Sequence, residues 1–249
     1  MAAAPFVLVH GAWHGAWSWD ELAPLLRQAG HHVEAPDLPG HGALAATPVA
    51  ECTPDANAAV VVAALERARA AAGGAPAVLI GHSLGGMSVA AACEARPDLV
   101  RHAAYVCAYL PGDGESAYQL ALRDPDSAIT PDCCRVLRDE GLLVVDGERI
   151  APALYGDVPA ADMSRAAARL VPEPLAPMGA PARLTPERHG AVPRTYVLCT
   201  RDQILTPAFQ RELAAAGAGT PVLVLESGHS PMLERPADLA ALLLPLARG

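Results

Sequence analysis

Short apolar runs alternate with longer stretches of helical periodicity along the first part of the chain. Four short segments are predicted as strands of a buried sheet: Phe6–Val9, His32–Ala35, Ala77–Ile80 and Ala103–Tyr109. Three segments that lie between them are predicted as helices: Ser18–Gln28, Pro54–Ala72 and Met87–Glu94. This alternation predicts an α/β fold with a mostly parallel sheet and helices on both of its faces.

The alternation fails from about residue 112 to residue 190, where Pro and Gly are frequent. A hairpin is predicted where Leu142–Val145 turns through Asp146-Gly147, and Asp162–Leu170 is predicted as a short helix. Such a long stretch between two regular strands is too large for a loop, so we expect an inserted cap. The predicted organisation is a core in two parts, residues 1–111 and 191–249, with a cap at residues 112–190 between them.

The core pattern resumes after the predicted cap. Two further segments are predicted as strands, Thr195–Cys199 and Pro221–Leu225, and two as helices, Pro207–Ala216 and Ala237–Leu246. The sheet should then contain about six strands. Functional sites in sheets of this kind lie at the carboxyl ends of the strands.

Bulk composition excludes several classes of protein. With 249 residues, 52% of them hydrophobic, the chain can bury a large core and is not a disordered protein. No apolar run reaches the roughly 18 residues that cross a bilayer, and the first residues lack the basic region of a secretory signal. A formal net charge of −9 disfavours nucleic acids and anionic membranes as partners.

The six cysteines show neither a disulfide framework nor paired metal-ligand spacing. We therefore expect no metal site and a protein of the reducing cytoplasm. Four of the cysteines lie in apolar surroundings and are predicted as small core residues. Cys133 and Cys134 are adjacent and are assigned no role.

The first candidate for chemistry is the sequence Gly81-His82-Ser83-Leu84-Gly85. It follows a predicted buried strand and precedes a predicted helix, which is the context of a G-x-S-x-G nucleophile turn. The two glycines lack the Cβ atoms that would collide as the strand and the helix close on each other. A plain Gly- and Ser-containing turn is the alternative, and the flanking strand and helix weaken it. Ser83 is therefore predicted as the nucleophile.

A serine hydroxyl needs a neighbouring base, and the expected chain order is serine, acid, histidine. His229 follows the last predicted strand and Asp202 follows the preceding one, so both fit. Alone, each would be a turn or solvated residue, but three suitable residue types coincide with three strand ends. Glu226 and Asp113 are the other candidate acids. Glu226 lies too near His229 along the chain, and Asp113 begins the predicted cap.

A tetrahedral intermediate needs two backbone N–H donors, which side chains do not reveal. Leu84, directly after the nucleophile, and Ala12, in the loop after the first strand, are the predicted donors. His10 is predicted to support that loop rather than to act as a base, and His14 to pack against it. Side chains predicted to line a substrate pocket, any of which could equally be plain packing, are Trp13, His82, Tyr155, Leu205 and Met232.

Several segments together carry a resemblance to a known family: Phe6–Trp17 with its H-G-A-x-H-G-A-W run, Pro36–Gly42, Gly81–Met87, Leu154–Pro159 and Tyr196–Phe209. On these residues the chain resembles the α/β-hydrolases, and within them the plant methylesterase and hydroxynitrile lyase branch. The resemblance implies a Ser83–His229–Asp202 triad and an oxyanion hole at Ala12 and Leu84. It also implies a largely helical cap over an apolar pocket.

Two positions depart from the lyase members of that branch. Those lyases typically have Thr where this chain has Gly11, and Lys directly after the histidine, where this chain has Ser230. In the lyases these side chains hold the hydroxyl and stabilise the departing cyanide. Their absence predicts an esterase-like site.

The sequence therefore predicts a serine hydrolase that cleaves a small or medium-sized carboxylic ester through an acyl-enzyme, without metal or organic cofactor. One alternative is a natural-product cyclase, lactonase or C–C lyase that uses the same cavity. Another is a non-catalytic receptor for a small ligand, which covalent labelling by a fluorophosphonate would distinguish from an enzyme. The expected partner is a small-molecule ester, and a homodimer is left open.

Overall fold

The structure is a computed structural model that describes residues 3–217 and 219–248. Its strands are β1 Phe6–Val9, β2 Val33–Glu34, β3 Ala77–His82, β4 Val100–Val106, β5 Cys134–Leu137, β6 Leu142–Val145, β7 Glu173–Pro174, β8 Arg194–Cys199 and β9 Val222–Leu225. Its α-helices are α1 Leu22–Gln28, α2 Pro54–Ala71, α3 Gly85–Ala95, α4 Ala117–Ala121, α5 Gly147–Tyr155, α6 Ala160–Ala167, α7 Leu175–Gly179, α8 Pro207–Ala216, α9 Pro231–Glu234 and α10 Pro236–Leu243.

The main sheet has six strands in the order β2-β1-β3-β4-β8-β9, and every neighbouring pair is parallel. Successive side chains of a strand point to opposite faces. Phe6 and Leu8 accordingly pack with α1 and α10, whereas Val7 and Val9 pack with α2, α3 and α8. This confirms the predicted α/β fold with helices on both faces of a mostly parallel sheet.

One predicted helix begins later than expected. Residues 16–19 form a 3-10 turn, in which the hydroxyl of Ser18 donates to the Gly15 carbonyl at 3.0 Å. The α-helix starts only at Leu22. A continuous helix from Ser18 would place Pro24 in its interior, where proline removes a hydrogen bond and clashes with the preceding turn. In α1 the same proline lies in the first turn, where it is tolerated.

Strands β5, β6 and β7 form a separate antiparallel sheet, which lies with α4 to α7 between β4 and β8 of the chain. The predicted hairpin through Asp146-Gly147 is wrong, because Leu142–Val145 pairs with the strand before it, Cys134–Leu137. Asp146 instead caps α5, since its carboxylate accepts from the N–H groups of Glu148 and Arg149 at 3.1 Å. The insertion therefore contains a small sheet as well as helices, and its limits at residues 112 and 190 stay a prediction.

Within residues 3–217 and 219–248, no helix is both long and apolar enough to cross a membrane.

Candidate active site

The turn between β3 and α3 holds Ser83 in a strained backbone conformation. Its φ of +51° lies in the left-handed region, which residues with side chains rarely adopt. The Ser83 N–H donates to the Val106 carbonyl at 3.3 Å, and its own carbonyl accepts from Gly86 and Tyr109, both at 3.1 Å. Strain of this kind persists where surrounding contacts enforce it and is typical of active sites. The serine is only 6% exposed and stands at the amino end of α3.

Close approach of a neighbouring side chain at one position and of a backbone carbonyl at the other explains two glycines around this serine. A Cβ on Gly81 would lie 2.7 Å from Val89 Cγ2 on the facing helix. A Cβ on Gly85 would lie 2.5 Å from the His10 carbonyl oxygen, in the loop after β1. Both separations are far inside van der Waals contact, so the prediction that these positions exclude a side chain is confirmed.

Asp202 and His229 form a buried pair at the ends of β8 and β9. Asp202 Oδ2 accepts from His229 Nδ1 at 2.8 Å, and both side chains are almost completely buried. The other carboxylate oxygen, Oδ1, accepts from the backbone N–H groups of Ile204 and Leu205 at 2.7 and 3.0 Å. A carboxylate held in this way fixes the orientation of the imidazole and leaves its Nε2 free to act as a base.

Gln210 on α8 completes the environment of the carboxylate. Its amide nitrogen donates to Asp202 Oδ2 at 3.0 Å and to the carbonyls of Leu205 and Cys199 at 2.7 and 3.3 Å. Its amide oxygen accepts from the Cys199 N–H at 2.9 Å. Gln210 is fully buried and ties Asp202 to the end of β8. Gln210 was not predicted from the sequence; its only signal there is a polar side chain among the apolar positions of α8.

Two further side chains hold the loop that carries His229. Glu234 Oε2 accepts from the Ser227 hydroxyl and from the Gly228 N–H, both at 2.6 Å. His82 Nε2 donates to the His229 carbonyl at 2.7 Å, which assigns the proton to that nitrogen. Burial keeps the pKa of His82 well below its usual value, so this histidine is neutral. Glu234, like Gln210, was not predicted from the sequence.

Ser83 approaches this pair through its neighbour in the chain, His82. The ring of its neighbour His82 is 4.7 Å from that of His229, centroid to centroid. Among the residues described, Ser83 Oγ makes no hydrogen bond to the imidazole. Catalytic hydrogen bonds are often long before substrate binds and tighten only in the complex, so this leaves Ser83 a valid nucleophile.

The predicted oxyanion donors are both buried, and both are free. Neither the Ala12 N–H nor the Leu84 N–H donates a hydrogen bond within the described parts of the chain, although each residue is less than a tenth exposed. Buried N–H groups are almost always paired. Two free N–H groups beside Ser83, one of them at the amino end of α3, therefore suit a ligand oxygen that carries negative charge.

Two histidines orient the peptide groups around the Ala12 N–H. His10 Nδ1 contacts the Gly11 carbonyl at 2.9 Å, and His14 Nδ1 contacts the Ala12 carbonyl at 2.6 Å. Because a carbonyl only accepts, the proton of each ring is on Nδ1. Burial lowers the pKa of His10 to about 3 and that of His14 to about 4, so both are neutral at physiological pH. His14 Nε2 then accepts from the Tyr155 hydroxyl of α5 at 2.7 Å.

Trp13, the next residue of the loop, has a φ of +62° and is held by the inserted segment on three sides. Its N–H donates to Glu173 Oε2 at 2.9 Å, and its carbonyl accepts from the Val171 N–H at 2.9 Å. Its indole nitrogen donates to the Leu143 carbonyl at 3.2 Å. Trp13 therefore connects the loop after β1 to the inserted segment by three hydrogen bonds.

The five predicted pocket residues have different surroundings. Trp13, His82 and Tyr155 each support the site through the hydrogen bonds described above. Leu205 is buried in the apolar cluster that includes Ala12 and residues of α5. Met232 packs in the cluster on the α1 and α10 face of the sheet. Their contact with substrate stays a prediction.

The two other candidate acids lie away from His229. Glu226 is 81% exposed and pairs with Arg201 at 2.6 Å. Asp113 accepts from the backbone N–H of Leu184 at 2.9 Å, at an exposed position. Asp202 is the carboxylate that contacts the imidazole.

Space at residue 11 does not admit the threonine of the lyase-type site. A Cβ on Gly11 would lie 2.8 Å from Ser83 Cβ and 3.0 Å from His82 Nδ1. Ser230, at the position of the lyase lysine, is fully buried. This arrangement favours an esterase-like site.

His82, Cys107 and His229 bring possible metal-ligand atoms within 4.8 Å of one another. However, His82 Nε2 and Cys107 Sγ both donate to the His229 carbonyl, at 2.7 and 3.3 Å. His229 Nδ1 contacts Asp202. These groups are engaged with one another, and we assign no metal to them.

Comparison with known proteins finds a matching family model and similar sequences. Residues 6–242 match the model of the alpha/beta hydrolase family. Methyl jasmonate esterase 1 of Vitis vinifera is 32% identical over 251 residues, which cover 96% of this chain and 94% of that protein. Salicylic acid-binding protein 2 of Nicotiana tabacum is 30% identical over 257 residues, which cover 97% of this chain and 96% of that one.

A solved structure of a related fold superimposes over nearly the whole chain. The structure of polyneuridine aldehyde esterase superimposes with a TM-score of 0.86 and 25% sequence identity. The superposition covers 98% of this chain and 99% of the other. The similarity therefore extends over the inserted segment as well as the core.

Proposed function

Because the chain belongs to the alpha/beta hydrolase family, and to its plant methylesterase-like branch, we propose that it is a serine esterase with a Ser83–His229–Asp202 triad. It cleaves a small or medium-sized carboxylic ester through an acyl-enzyme. The observation that carries this proposal is the buried contact of 2.8 Å between Asp202 and His229, beside a serine in a strained strand-to-helix turn.

In the first half of the reaction, His229 Nε2 takes the proton of the Ser83 hydroxyl as its oxygen attacks the ester carbonyl carbon. The carbonyl oxygen becomes an oxyanion and accepts hydrogen bonds from the Ala12 and Leu84 N–H groups. Asp202 stabilises the imidazolium that has formed. His229 then gives its proton to the leaving alkoxide, and the acyl group remains on Ser83.

In the second half, His229 takes a proton from water as the water attacks the acyl carbon. The same two N–H groups hold the second oxyanion. Collapse of this intermediate releases the carboxylic acid, and His229 returns the proton to Ser83. The cycle needs no metal and no organic cofactor.

An apolar acyl or alcohol group suits the surroundings of the oxyanion donors. Ala12, Leu84 and Leu205 belong to one buried apolar cluster with Leu143 and Leu154 of the inserted segment. We keep the five predicted pocket residues as candidates for substrate contact. Since one relative is named an esterase of methyl jasmonate, methyl esters of small carboxylic acids belong in the first substrate panel.

The proposal places the enzyme in the cytoplasm, with a small-molecule ester as its partner. All six cysteines are free in the structure, which suits a reducing compartment. The net charge of −9 gives no attraction to nucleic acids or anionic membranes.

The test is hydrolysis of short p-nitrophenyl esters and of methyl esters by the purified protein and by its Ser83→Ala variant. We expect clear turnover by the wild type and a loss of about 10⁴-fold or more in kcat for the variant, because the nucleophile is gone. Circular dichroism of both proteins should be the same. Turnover by folded Ser83→Ala at a rate close to wild type would contradict the proposal.

A further inference from the structure

We infer that Glu173 is a positioning residue for the oxyanion hole: through Trp13 it holds the loop that presents the Ala12 N–H. This inference rests on the proposed function, since it assigns a role within that reaction. It gives the inserted segment a part in transition-state stabilisation.

The peptide group between Ala12 and Trp13 is held at both ends. Its carbonyl accepts from His14 Nδ1 at 2.6 Å, and its N–H donates to Glu173 Oε2 at 2.9 Å. Both ends of this peptide are thus fixed by side chains. The neighbouring peptide carries the Ala12 N–H. His10 Nδ1 contacts its Gly11 carbonyl at 2.9 Å, and its other end is joined to the peptide that His14 and Glu173 fix, so both supports set its direction.

The backbone of Trp13 is strained. A φ of +62° is unfavourable for a residue with a side chain and persists only where contacts enforce it. Leu143 and Glu173 face each other across strands β6 and β7 and contact the indole N–H and the backbone N–H of Trp13, respectively. The paired residues Leu143 and Glu173 of the small sheet therefore hold both the indole N–H and the backbone N–H of Trp13.

The buried side chain of Glu173 is paired with His41. Glu173 is 4% exposed, and its Oε2 also accepts from His41 Nε2 at 3.0 Å. His41 Nδ1 contacts the Pro39 carbonyl at 3.2 Å, so both ring nitrogens face acceptors. Burial alone would lower the pKa of His41, but the hydrogen bond to Glu173 and its charge raise it above the usual value. The contact with His41 fixes the position of Glu173 Oε2. Because this acceptor is fixed, the direction of the Trp13 N–H is fixed as well.

A matched pair of variants separates the effect of losing the hydrogen-bond acceptor at residue 173 from the effect of changing a buried side chain. In Glu173→Gln an amide oxygen can occupy the place of Oε2 and accept from both Trp13 and His41, whereas in Glu173→Ala no acceptor remains. We expect Glu173→Ala to lose about 10- to 100-fold in kcat, because a displacement of the order of 1 Å in a catalytic group costs up to about 100-fold. Its KM should change less than about threefold, because ground-state binding is left largely intact. Glu173→Gln should keep kcat within about threefold of wild type.

A second measurement reports on the oxyanion directly. A trifluoromethyl ketone of the substrate's shape forms a tetrahedral adduct with Ser83, whose oxygen occupies the oxyanion hole. Its inhibition constant should rise in Glu173→Ala by about the same factor by which kcat/KM falls. The inhibition constant for the product acid should stay nearly unchanged. A purely structural role would weaken both ligands alike or neither.

Glu94→Gln is the control for loss of a carboxylate elsewhere. Glu94 lies at the far end of α3 and accepts from the Thr185 N–H and hydroxyl, both at 2.8 Å, without contact to the loop of Ala12. This variant should leave kcat within about twofold of wild type. If Glu173→Ala fails to fold because His41 is left unpaired, the double variant His41→Leu, Glu173→Met removes the acceptor without leaving an unpaired charge. It should show the same fall in kcat.

Two results would overturn the inference: unchanged kcat in folded Glu173→Ala, or an equal loss of kcat in Glu173→Gln. Both leave the proposed function intact as long as Ser83→Ala is inactive. Conversely, full activity of Ser83→Ala would remove the proposed function itself. The two failures are therefore distinguishable in one set of assays.

Discussion

The two halves of the site are held in different ways. The half with Asp202 and His229 is held from within the core, by Gln210 and Glu234 together with backbone N–H groups. The half with the Ala12 N–H is held from the core by His10, at the Gly11 carbonyl, and from the inserted segment by Glu173 and, through His14, by Tyr155. The proposed base and its acid are thus held by the core alone, whereas the loop that carries the proposed Ala12 donor also depends on how the inserted segment docks.

The distances along the chain differ for most of these supports, although the core half also has a distant one in His82, 147 positions from His229. Gln210 lies 8 positions from Asp202, and Glu234 lies 7 positions from Ser227 of the histidine loop. Glu173 is 160 positions from Trp13, and Tyr155 is 141 positions from His14. Local supports form together with the elements they serve, while the distant supports require the whole chain to be folded.

The largest effect should come from the acid in the core half. Asp202→Asn should lower kcat by about 10⁴-fold, because an amide no longer selects the imidazole tautomer that leaves Nε2 free as a base. Glu226→Gln and Asp113→Asn are matched controls and should stay within about twofold of wild type, since neither side chain contacts His229. Steady-state kinetics on one ester, with equal melting temperatures, check the comparison. A large loss in either control would shift the acid away from Asp202.

Gly11→Ala tests the point where the two halves meet. The new Cβ would lie 2.8 Å from Ser83 Cβ, so the nucleophile and the loop of Ala12 must move apart. We expect a loss of about 100-fold in kcat/KM, as for other displacements of catalytic groups by about 1 Å. Gly179→Ala is the control, because nothing lies within 4 Å of a Cβ at that residue. Wild-type activity of Gly11→Ala would show that the two halves are less closely packed than described.

Gln210→Leu should weaken the core half without abolishing it. Asp202 keeps its bonds to His229 and to two backbone N–H groups, so we expect about a tenfold loss in kcat. The buried Cys199 N–H loses its acceptor, which should cost about 1–3 kcal/mol in the free energy of unfolding. Kinetics and urea unfolding of the same preparation measure both effects. An unchanged free energy of unfolding would mean that water replaces the amide.

Acid should destabilise the folded protein through buried histidines in both halves of the site. The folded protein keeps His10, His14 and His82 neutral, with the pKa of the first two at about 3 and about 4. The unfolded chain binds protons on these residues at about pH 6.5, so it gains protons that the folded state does not. The free energy of unfolding should therefore fall below that pH by about 1.4 kcal/mol per pH unit for each such histidine. His41 acts in the opposite direction, because its raised pKa stabilises the fold at low pH and this contribution fades as pH rises through that pKa.

Urea unfolding at pH 7, 6 and 5 measures that slope. His10→Asn should reduce it, because one buried neutral imidazole is then absent. A free energy of unfolding that stays constant from pH 7 to pH 5 would contradict the assignment of neutral histidines.

The contrast also explains what the sequence could predict. The strand ends after Ala77–Ile80, Thr195–Cys199 and Pro221–Leu225 are readable from local apolar runs, and Ser83, Asp202 and His229 follow from them. Gln210 and Glu234 carry no motif, because a buried polar residue on a helix looks the same in sequence as an exposed one. They become visible only when the hydrogen bonds of Asp202 and the histidine loop are followed.

The inserted segment was the least predictable part. The β6 strand pairs with the strand before it, and Asp146 caps a helix, although Asp-Gly after an apolar run is typical of a hairpin turn. Glu173 gives no local signal at all, since its partners Trp13 and His41 lie far away in the chain. Propensity and spacing describe single elements, whereas docking of the insertion onto the core depends on tertiary contacts.

The most direct test of the account is covalent labelling with a fluorophosphonate, read by intact mass and by mass spectrometry of the digested protein. The account predicts one adduct per chain on the peptide that carries Ser83, slower labelling of Asp202→Asn, and no adduct on Ser83→Ala. An adduct that persists in folded Ser83→Ala, or a wild-type protein labelled at another residue, would contradict it.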